Sequence, residues 1–473
     1  MAALAAAVSL VVYLLTLAPT AFGMDSAELA TAAYTLGLAH APGYPVYLLV
    51  AHLFTRLPLG DVAYRVNLLS ALAGSACIGL LTYQIRRSIA NNAAALSAAL
   101  ALGFSFYAWS VSVAAEVYTF QALLMIAILM LAWSWRSEGR PAHLALAAGL
   151  MGLALANNPA TVLWWPGLAL LLWTSPHRGS LGRGDLVRAL AMLAAGLSFV
   201  LYIPWRSTLD PAFAYVGQYD LSGSLVPPDL TVPANLVWYL SGQQFADFFP
   251  AVDPAHWLSA GSAFFGHLWA AMLGIGIPVG AVGLVAQWRG NRTWALGLLA
   301  IAGGHAAFFA GYGTVDRSLM LLPTFVIWSV FVAHGLEVAA RGIPRRLHWA
   351  ALMLPAALLI VNWPYLDLSN SEEPIRTARL RLEGSQSGAL YLAPWGDAAV
   401  MHYLQHVEGV GTDVTVVNSF FVADGDLGRM IDTALEADRA VYASQPGLLP
   451  VPFDGVDEFL SFQVVPIQGD EHE

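Results

Sequence analysis

The chain has 473 residues, of which 58% are hydrophobic and only 11% are charged, and its formal net charge is −10. Soluble domains carry about 25% charged residues, so this composition excludes an ordinary soluble protein and predicts a membrane protein. Every basic residue is arginine, and none of them form the basic stripe that follows nucleic-acid phosphates, which argues against a nucleic-acid partner.

The charge distribution divides the chain into an apolar body and an acidic tail. From Asp367 onward there are 18 acidic residues and 5 arginines, whereas the preceding residues hold 13 acids and 16 arginines. We therefore predict a transmembrane domain over residues 1–363 and an external soluble domain over residues 364–473. The single cysteine, Cys77, lies in an apolar stretch, which leaves no intrachain disulfide and no cysteine metal site.

Apolar runs predict about eleven transmembrane helices, because about 20 apolar residues are needed to cross the hydrocarbon core. The predicted spans are 2–22, 66–85, 93–109, 117–135, 142–157, 159–174, 189–205, 262–287, 294–311, 319–338 and 348–363. Between the fifth and sixth, Asn157-Asn158-Pro159 favours a tight hairpin over one long helix. Ala21-Phe22-Gly23 resembles a signal-peptidase site, but no basic residue precedes the first run, so we expect an uncleaved helix.

The positions of arginine predict the orientation of the spans, since cytoplasmic loops are enriched in basic residues. With the amino terminus in the cytoplasm, the cytoplasmic loops contain 12 of the 16 arginines that precede the tail. The opposite side keeps only Arg56, Arg65, Arg206 and Arg317. We therefore expect an integral protein of the bacterial cytoplasmic membrane, with its carboxy-terminal domain on the periplasmic or extracellular side.

Two predicted external segments, 23–65 and 206–261, are too long to be simple turns. The first contains a mainly apolar run at 44–57, which is too short to span and predicts an interfacial or re-entrant helix. In the tail, runs at 388–395, 412–421 and 439–444 predict strands, and 396–408 and 425–437 predict helices. This alternation is typical of a small α/β domain.

Asp25 and Glu28 directly follow the first predicted span. One interpretation is a capping box, in which Asp25 caps a helix and Glu28 reaches back to its first backbone N–H. Carboxylates at a membrane boundary are also costly unless they are satisfied, which makes them candidates for function. The two interpretations are compatible, because a capped helix would hold both groups at one fixed terminus.

Further polar residues are expected at the same external boundary. His40 opens the rigid turn His40-Ala41-Pro42-Gly43-Tyr44-Pro45, although a histidine without a role is an equal alternative. Asn67 and Ser70 are spaced for a helix–helix hydrogen bond. Glu116 opens a span, where it either interacts with the helix dipole or joins the other acids.

External arginines suit a phosphate group, which a guanidinium binds through two parallel hydrogen bonds. Arg206 and Arg317 are the candidates for such a site, with pairing to a nearby acid as the alternative for Arg317. For Arg56 and Arg65 the favoured interpretation is contact with lipid headgroups. The middles of the spans are nearly free of charge, which is unusual for an ion-coupled transporter and suits an enzyme at the membrane surface.

The order of these motifs resembles that in bacterial relatives of a eukaryotic transmembrane O-mannosyltransferase that acts on plexin-type receptors. The motifs are Asp25…Glu28, His40…Pro45, Arg65-Val66-Asn67-Leu68-Leu69-Ser70 and Glu116-Val117-Tyr118, with Gly396-Asp397, Tyr403-Leu404-Gln405 and Asp413-Val414 in the tail. The sequence departs from the family pattern at Ala41, where proline is expected, and at Ala27, where glycine is expected.

The resemblance implies a membrane glycosyltransferase of the GT-C superfamily: an α-helical polytopic protein with its active site at the external membrane face. It also implies a polyprenyl-phosphate sugar donor and a catalytic acid in the first external loop, which points to Asp25 and then to Glu28. We expect inverting transfer of mannose or another hexose to a hydroxyl of an exported protein or glycan. Asp25 would be the general base, and Glu28 or Glu116 would orient the acceptor or the sugar.

The remaining site residues follow from the same hypothesis. Contacts with the donor phosphate and lipid are assigned to Arg206, Arg317, His40, Tyr44 and Arg65, and substrate orientation is assigned to Tyr118 and Asn67. No cofactor is required, and no metal site is assigned, although some relatives place Mg²⁺ or Mn²⁺ between such acids and the phosphate. The alternatives are a flippase or transporter of a lipid-linked saccharide and a non-catalytic membrane scaffold.

Overall fold

A computed structural model describes residues 1–23, 25–249, 253–450, 453–458 and 460–466. In the amino-terminal half the α-helices are α1 (Ala2–Leu15), α2 (Asp25–Thr35), α3 (Pro45–Phe54), α4 (Val62–Arg86), α5 (Asn92–Gly103), α6 (Phe106–Trp109), α7 (Val117–Glu138), α8 (Pro141–Asn157), α9 (Trp165–Trp173), α10 (Arg183–Leu197) and α11 (Tyr202–Ser207). They are followed by α12 (Pro233–Leu240), α13 (Pro254–Ala271), α14 (Gly276–Gly290), α15 (Arg292–Ala310), α16 (Arg317–Met320), α17 (Leu322–Ala339) and α18 (Met353–Leu366).

Helix length and composition bear on the predicted number of spans. Among the described residues, six helices are long and apolar enough to cross a membrane, and up to eight if each of two bent pairs is one span. These numbers describe an integral membrane protein. Three further apolar helices, at 2–15, 141–157 and 159–173, coincide with predicted spans but are shorter than this criterion requires. The turn at Asn158 is confirmed, since its side chain accepts from the N–H of Ala160 at 3.0 Å.

Two predicted spans differ in shape for local reasons. The span predicted at 262–287 is broken into α13 and α14, which meet at 94°. The break lies at Leu273 and Gly274, where φ is +51° and +75° and no helix can continue. The first helix ends at Leu15 because Pro19 follows closely and the carbonyl of Thr16 accepts from Leu368 instead.

Small residues bring the helices of the bundle into close contact. A Cβ at Gly283 of α14 would lie 1.7 Å from the carbonyl oxygen of Phe331, and one at Gly335 of α17 would lie 1.9 Å from that of Val279. Gly152 in α8 would collide similarly with Leu193, at 2.2 Å. Such contacts favour van der Waals packing between helices, which is the main attraction available in a lipid environment.

The arginine-bearing connections lie together at one end of the bundle. Arg87 and Arg140 both pair with Glu138, at 3.9 and 3.3 Å, and so join the connections that follow α4 and α7. The N–H of Ala90 donates to Glu337 at 2.7 Å, which adds the end of α17. This grouping is what the predicted orientation requires, because loops on one side of a membrane share one end of the bundle.

The carboxy-terminal region has the predicted α/β character and folds around a mixed sheet. Its helices are α19 (Glu373–Gly384), α20 (Trp395–Tyr403) and α21 (Asp426–Glu436). A small hairpin of β1 (Gln218–Tyr219) and β2 (Leu225–Val226) precedes the strands β3 (Leu390–Ala393), β4 (Thr415–Asn418), β5 (Val441–Ala443), β6 (Phe453–Glu458) and β7 (Ser461–Pro466). The sheet order is β4-β3-β5-β7-β6, with β3 parallel to β4 and β5. In this register Tyr391 of β3 is paired with Val416 of β4 and with Tyr442 of β5.

The antiparallel hairpin of β6 and β7 was not predicted from the sequence. Its turn includes Leu460 with φ of +64°, a conformation that glycine or asparagine usually supplies, so the normal turn signal is missing. Residues 467–473 of the predicted domain lie outside the described residues, as do 24 and 250–252 of the two long segments. The apolar helix expected at 44–57 is confirmed as α3, with Tyr47 and Leu48 fully buried.

Candidate functional site

Asp25 and Glu28 lie in the first turn of α2, and their side chains have different partners. Glu28 is completely buried, and its Oε1 accepts from the backbone N–H of His40 at 2.6 Å. Nδ1 of His40 lies 2.8 Å from Oε2 and 3.0 Å from Oε1. The capping-box interpretation was therefore wrong: Asp25 is the first helical residue, and Glu28 binds the loop histidine instead of its own helix.

The position of His40 is fixed by the second long segment. Leu38 exchanges backbone hydrogen bonds with Phe213 and Tyr215, at 3.0 and 2.8 Å. Gly43 has φ of +90°, and a Cβ there would lie 2.8 Å from the ring of Tyr239. Only glycine fits this close approach in this backbone conformation, so the histidine turn is packed firmly against α12.

Nε2 of His40 points toward the remaining polar groups. It lies 3.8 Å from Oδ2 of Asp25 and 3.3 Å from the hydroxyl of Tyr44. The ring of Trp395 from the carboxy-terminal region packs edge-on against the imidazole, with centroids 5.3 Å apart. His40 thus joins the first acidic segment to the domain that follows the helix bundle.

Asn67 and Ser70 of α4 hold the two acid-bearing segments in place. The hydroxyl of Ser26 lies 3.4 Å from Oδ1 of Asn67 and accepts from the N–H of Ala115 at 3.2 Å. Ser70 Oγ accepts from the N–H of Glu116 at 3.0 Å and donates to its carbonyl at 3.1 Å. The expected interhelical hydrogen bonding is confirmed, and Asn67, which was also predicted to orient substrate, is fully buried and away from the cavity.

Two further carboxyl groups lie close to Asp25. Glu116 has a buried Oε2 with no hydrogen-bond partner among the described residues. Its burial, followed by the charges of Asp25 and Asp316, raises its pKa well above the usual range and favours the protonated form. Asp316 accepts from Thr314 at 2.6 Å and from Tyr118 at 3.4 Å. The sequence had suggested Asp316 only as a neighbour of Arg317.

The ionisation of Asp25 and His40 is set by burial and by each other. The pKa of the Asp25 carboxyl is raised to about 7, mainly by burial; the charge of His40 opposes this shift, and the charges of Glu28 and Asp316 add to it. Burial alone would lower the pKa of His40, but the carboxylates of Glu28 and Asp25 raise it to about 9. At neutral pH an imidazolium therefore faces Glu28, and Asp25 exchanges readily between its two forms.

These groups open into a cavity of about 620 Å³ between the helix bundle and the carboxy-terminal region. Asp25, His40, Tyr44, Tyr118 and Asp316 form a polar part of the lining, which we call its polar end. Most of the remaining lining is apolar and includes Val162, Leu163, Leu240, Phe248, Phe249, Phe308, Phe309 and Met320. Such a cavity can accept a ligand that has a polar group at one end and a hydrocarbon chain at the other.

The carboxy-terminal region closes the polar end of this cavity. Trp395 begins α20, and Phe420 follows β4; both side chains line the cavity. The indole N–H of Trp395 lies close enough to lower the pKa of Asp25, yet it makes no hydrogen bond of normal geometry to any described residue. The indole N–H is therefore a free donor beside Asp25. Trp395 was not predicted as a site residue, because the only motif near it in the sequence was Gly396-Asp397, which resembles the family pattern but does not include the tryptophan.

The predicted arginines are not brought to the cavity wall. Arg65 donates to the carbonyls of Thr55 and Leu59 at 2.7 and 2.6 Å, so it supports its own loop. The Arg206 guanidinium lies 5.9 Å from the Trp205 ring centre, and its Nε has no partner among the described residues. Arg317 follows the cavity residue Asp316 and donates to the carbonyl of Tyr312 at 3.3 Å, which places it nearest to the site.

Three residues of the acidic cluster carry atoms of the kind that bind a divalent cation. Asp25, Glu28 and His40 each offer one ligand atom, and these atoms lie within 4.8 Å of one another. Both oxygens of Glu28 are already bound to His40. The pKa of the His40 imidazole is raised to about 9, so a cation that binds this ring at neutral pH would have to displace a proton from it. A cation there would therefore compete with the Glu28–His40 pair for the same atoms.

Two comparisons of sequence identify related proteins. Residues 25–180 match the family described as the Protein O-mannosyl-transferase TMEM260 N-terminal domain. The mouse protein O-mannosyl-transferase TMEM260 is 37% identical over 223 residues, which are 45% of this chain and 31% of the mouse protein. Its Dictyostelium discoideum counterpart is 31% identical over 68 residues, or 14% of this chain and 8% of that protein. The match therefore spans less than a third of the length of these curated relatives.

The similarity in fold to solved structures covers almost the whole chain. The structure of ArnT from Cupriavidus metallidurans bound to undecaprenyl phosphate matches with a TM-score of 0.64 and 14% identity, covering 99% of this chain and 98% of that one. The apo state of the same protein matches with a TM-score of 0.57 and 14% identity, covering 98% and 97%. This chain therefore has the fold of ArnT, and its residues 25–180 match the O-mannosyl-transferase family model.

The region that matches the family contains most of the acidic cluster. Asp25, Glu28, His40 and Glu116 all lie within residues 25–180. Asp316 and the two aromatic residues of the carboxy-terminal region lie beyond it, as do the arginines at 206 and 317. Most of the acidic cluster therefore lies in the part of the chain that matches the O-mannosyl-transferase family.

Proposed function

We propose that this chain is a membrane glycosyltransferase that moves a sugar, mannose or another hexose, from a polyprenyl phosphate to a hydroxyl of an exported protein or glycan. The observation that carries the proposal is the position of Asp25, in the polar part of a cavity whose remaining lining is largely apolar. A lipid-linked sugar has the same two parts. The names of the relatives, O-mannosyl-transferase and an undecaprenyl-phosphate-bound ArnT, support the same substrate class.

The proposed reaction is a single displacement at the anomeric carbon. The acceptor hydroxyl oxygen forms a bond to this carbon, while the bond from the carbon to the phosphate oxygen breaks. Asp25 takes the hydroxyl proton, and the polyprenyl phosphate leaves with the bonding electron pair. Attack from the side opposite the phosphate inverts the configuration of the sugar.

Glu28 and His40 are assigned to positioning in this reaction. Glu28 does not line the cavity, and both of its oxygens hold the imidazole. His40 lines the cavity, and its Nε2 faces Asp25, so the protonated ring stabilises negative charge on the base. Tyr44, Tyr118 and the indole N–H of Trp395 can orient the sugar or the phosphate from the same wall.

The active site is proposed to face the periplasm or the cell exterior. Glu116 directly precedes α7 and Glu138, which pairs with Arg87 and Arg140, is its last residue, so the acidic cluster and these arginines lie at opposite ends of the helix. Because basic loops remain in the cytoplasm, the opposite end with Asp25 is external. An external site would meet acceptors after export and draw donor from the outer leaflet of the cytoplasmic membrane.

We expect the transfer rate to fall as the pH is lowered through about 7. The pKa of Asp25 is raised to about 7, mainly by burial, and only the ionised carboxylate can accept the proton. Below this value kcat/KM should therefore decline roughly tenfold per pH unit. The measurement is a pH–rate profile with saturating donor, and a flat profile from about pH 5 to 8 would contradict the assignment.

We expect Arg317→Ala to weaken donor binding roughly tenfold or more, as is typical when a hydrogen bond to a charged group is lost. Arg317 adjoins the cavity residue Asp316, and a modest movement of its long side chain would bring it to a phosphate. Arg206→Ala is expected to act in the same direction. The measurement is affinity for a polyprenyl-phosphate hexose, with the exposed Arg376→Ala as control. Unchanged affinity would remove the substituted arginine from the donor site.

A further inference from the structure

A second cavity lies beside the catalytic one and is assigned no role by the reaction above. It is a groove of about 750 Å³ between the segment that follows α11 and the residues after β4. We name it the loop groove and define it by Tyr219, Pro227, Trp238, Gln243, Gln244 and Phe420. We propose that the loop groove binds the acceptor polypeptide in an extended form, an inference that rests on the proposed function.

The loop groove shares a wall with the catalytic cavity. Phe420 lines both spaces, and its ring lies 5.3 Å from that of Trp395, which in turn lies 5.3 Å from the ring of His40. An extended chain advances about 3.3 Å per residue, so a few residues are enough to reach from the groove to Asp25. A polypeptide held in the groove can thus place a serine or threonine hydroxyl at the base.

The lining of the loop groove suits an uncharged polypeptide backbone. Asp220 is the one charged side chain among the described lining residues, and its Oδ1 is already occupied by the N–H groups of Ser222 and Ser224 at 2.9 and 3.0 Å. Four other lining side chains, those of Gln218, Asn235, Gln243 and Gln244, are carboxamides, whose N–H₂ and oxygen match the acceptor and donor of a peptide bond. A phosphate or a charged polysaccharide finds no cation here.

One of these carboxamides lacks a partner. Gln244 donates from Nε2 to the carbonyl of Tyr215 at 3.3 Å, which fixes the side chain. Its Oε1 is buried and receives no hydrogen bond from any residue that the structure describes. A buried acceptor of this kind is costly unless a ligand satisfies it, and a peptide N–H would do so.

A neutral glycan is the less favoured occupant. Glycans are held by stacking on open aromatic faces, whereas Tyr219 and Phe421 are buried, with 7% and 3% of their surface exposed. Trp238 is half-buried, and Phe420, at 41% exposure, lies on the side toward the catalytic cavity. The wall formed by Pro227-Pro228 offers no N–H and presents a rigid apolar edge, which suits the side of an extended peptide.

The test compares Gln243→Arg with Ala234→Arg in the full-length protein reconstituted in nanodiscs. Gln243 is exposed and lines the groove, so a long side chain there fills the groove without disturbing the core. Ala234 is exposed on the same segment and lines neither cavity, which makes it a matched control. The probe is an uncharged peptide of about ten residues that contains threonine and carries a neutral fluorophore, long enough at about 3.3 Å per residue to span the groove.

We expect Gln243→Arg to raise the peptide Kd, read by anisotropy, and the peptide KM at least tenfold, with kcat and donor affinity unchanged. Ala234→Arg should match the wild type. Absence of peptide binding to the wild type, or equal peptide affinity in Gln243→Arg, overturns the proposal. Competition by a neutral oligosaccharide that is itself lost in Gln243→Arg identifies a glycan groove and also overturns it. Peptide binding at the groove without any transfer supports the groove and contradicts the glycosyltransferase function instead.

Discussion

Asp25→Asn is expected to lower the transfer rate by about 10²–10⁴-fold, the range in which a general base contributes. Asparagine has the size of aspartate and keeps an oxygen toward His40, but its amide cannot take a proton. Donor affinity should remain close to that of the wild type, because the change removes an interaction that matters in the transition state. The measurement is single-turnover transfer in nanodiscs from a supplied polyprenyl-phosphate hexose.

The control for this experiment is Asp432→Asn, an identical change at an exposed position of α21. It should leave both the rate and the donor affinity unaltered. Undiminished turnover of Asp25→Asn would remove Asp25 from the mechanism and direct attention to Asp316, the other carboxylate that lines the cavity. Loss of donor binding together with activity would instead indicate that Asp25 holds the donor.

Glu28→Ala is expected to destabilise the protein by about 3–5 kcal/mol, the usual cost of removing one partner of a buried ion pair. The substitution leaves the imidazolium of His40 buried without its closest anion and leaves the backbone N–H of the same residue without an acceptor. The transition temperature in detergent should fall by several degrees. Transfer should be lost as well, since His40 would no longer be held toward Asp25.

A double-mutant cycle separates this pairing from general damage to the core. If the two side chains act as a pair, Glu28→Ala combined with His40→Ala should cost clearly less than the sum of the single substitutions. The reason is that the double variant leaves neither charge uncompensated. Additive losses would show that the ion pair contributes little and that the two residues act through separate contacts.

Residue type and spacing were enough to predict part of the site. Asp25, Glu28 and His40 were expected at one boundary, and the structure brings them together. The role of Glu28 was predicted differently, because a capping box and a carboxylate that holds a distant histidine have the same local sequence. The choice depends on where residue 40 returns, and this is decided by pairing of the chain near Leu38 with Phe213 and Tyr215.

Other parts of the site had no local signal at all. Asp316 lies in a short turn before α16, and Trp395 begins a helix of the carboxy-terminal region; both reach the cavity through packing of distant segments. The loop groove is likewise made by two segments almost 200 residues apart in the chain. A sequence pattern gives information on residues that are close together in the chain. These contacts join residues that are far apart in it, so no local pattern predicted them.

The sequence by itself determined that this is a membrane protein with a mixed α/β region at its carboxy end and with acids near one end of the helices. Hydropathy and charge carry this information because each residue pays its own cost of transfer into lipid, whatever its neighbours are. Only the tertiary structure decided that six to eight helices of the described residues are long and apolar enough to span, and that α13 and α14 meet at 94°. It also placed Asp25 beside Trp395, because a cavity is a property of packed surfaces and forms only when distant segments meet.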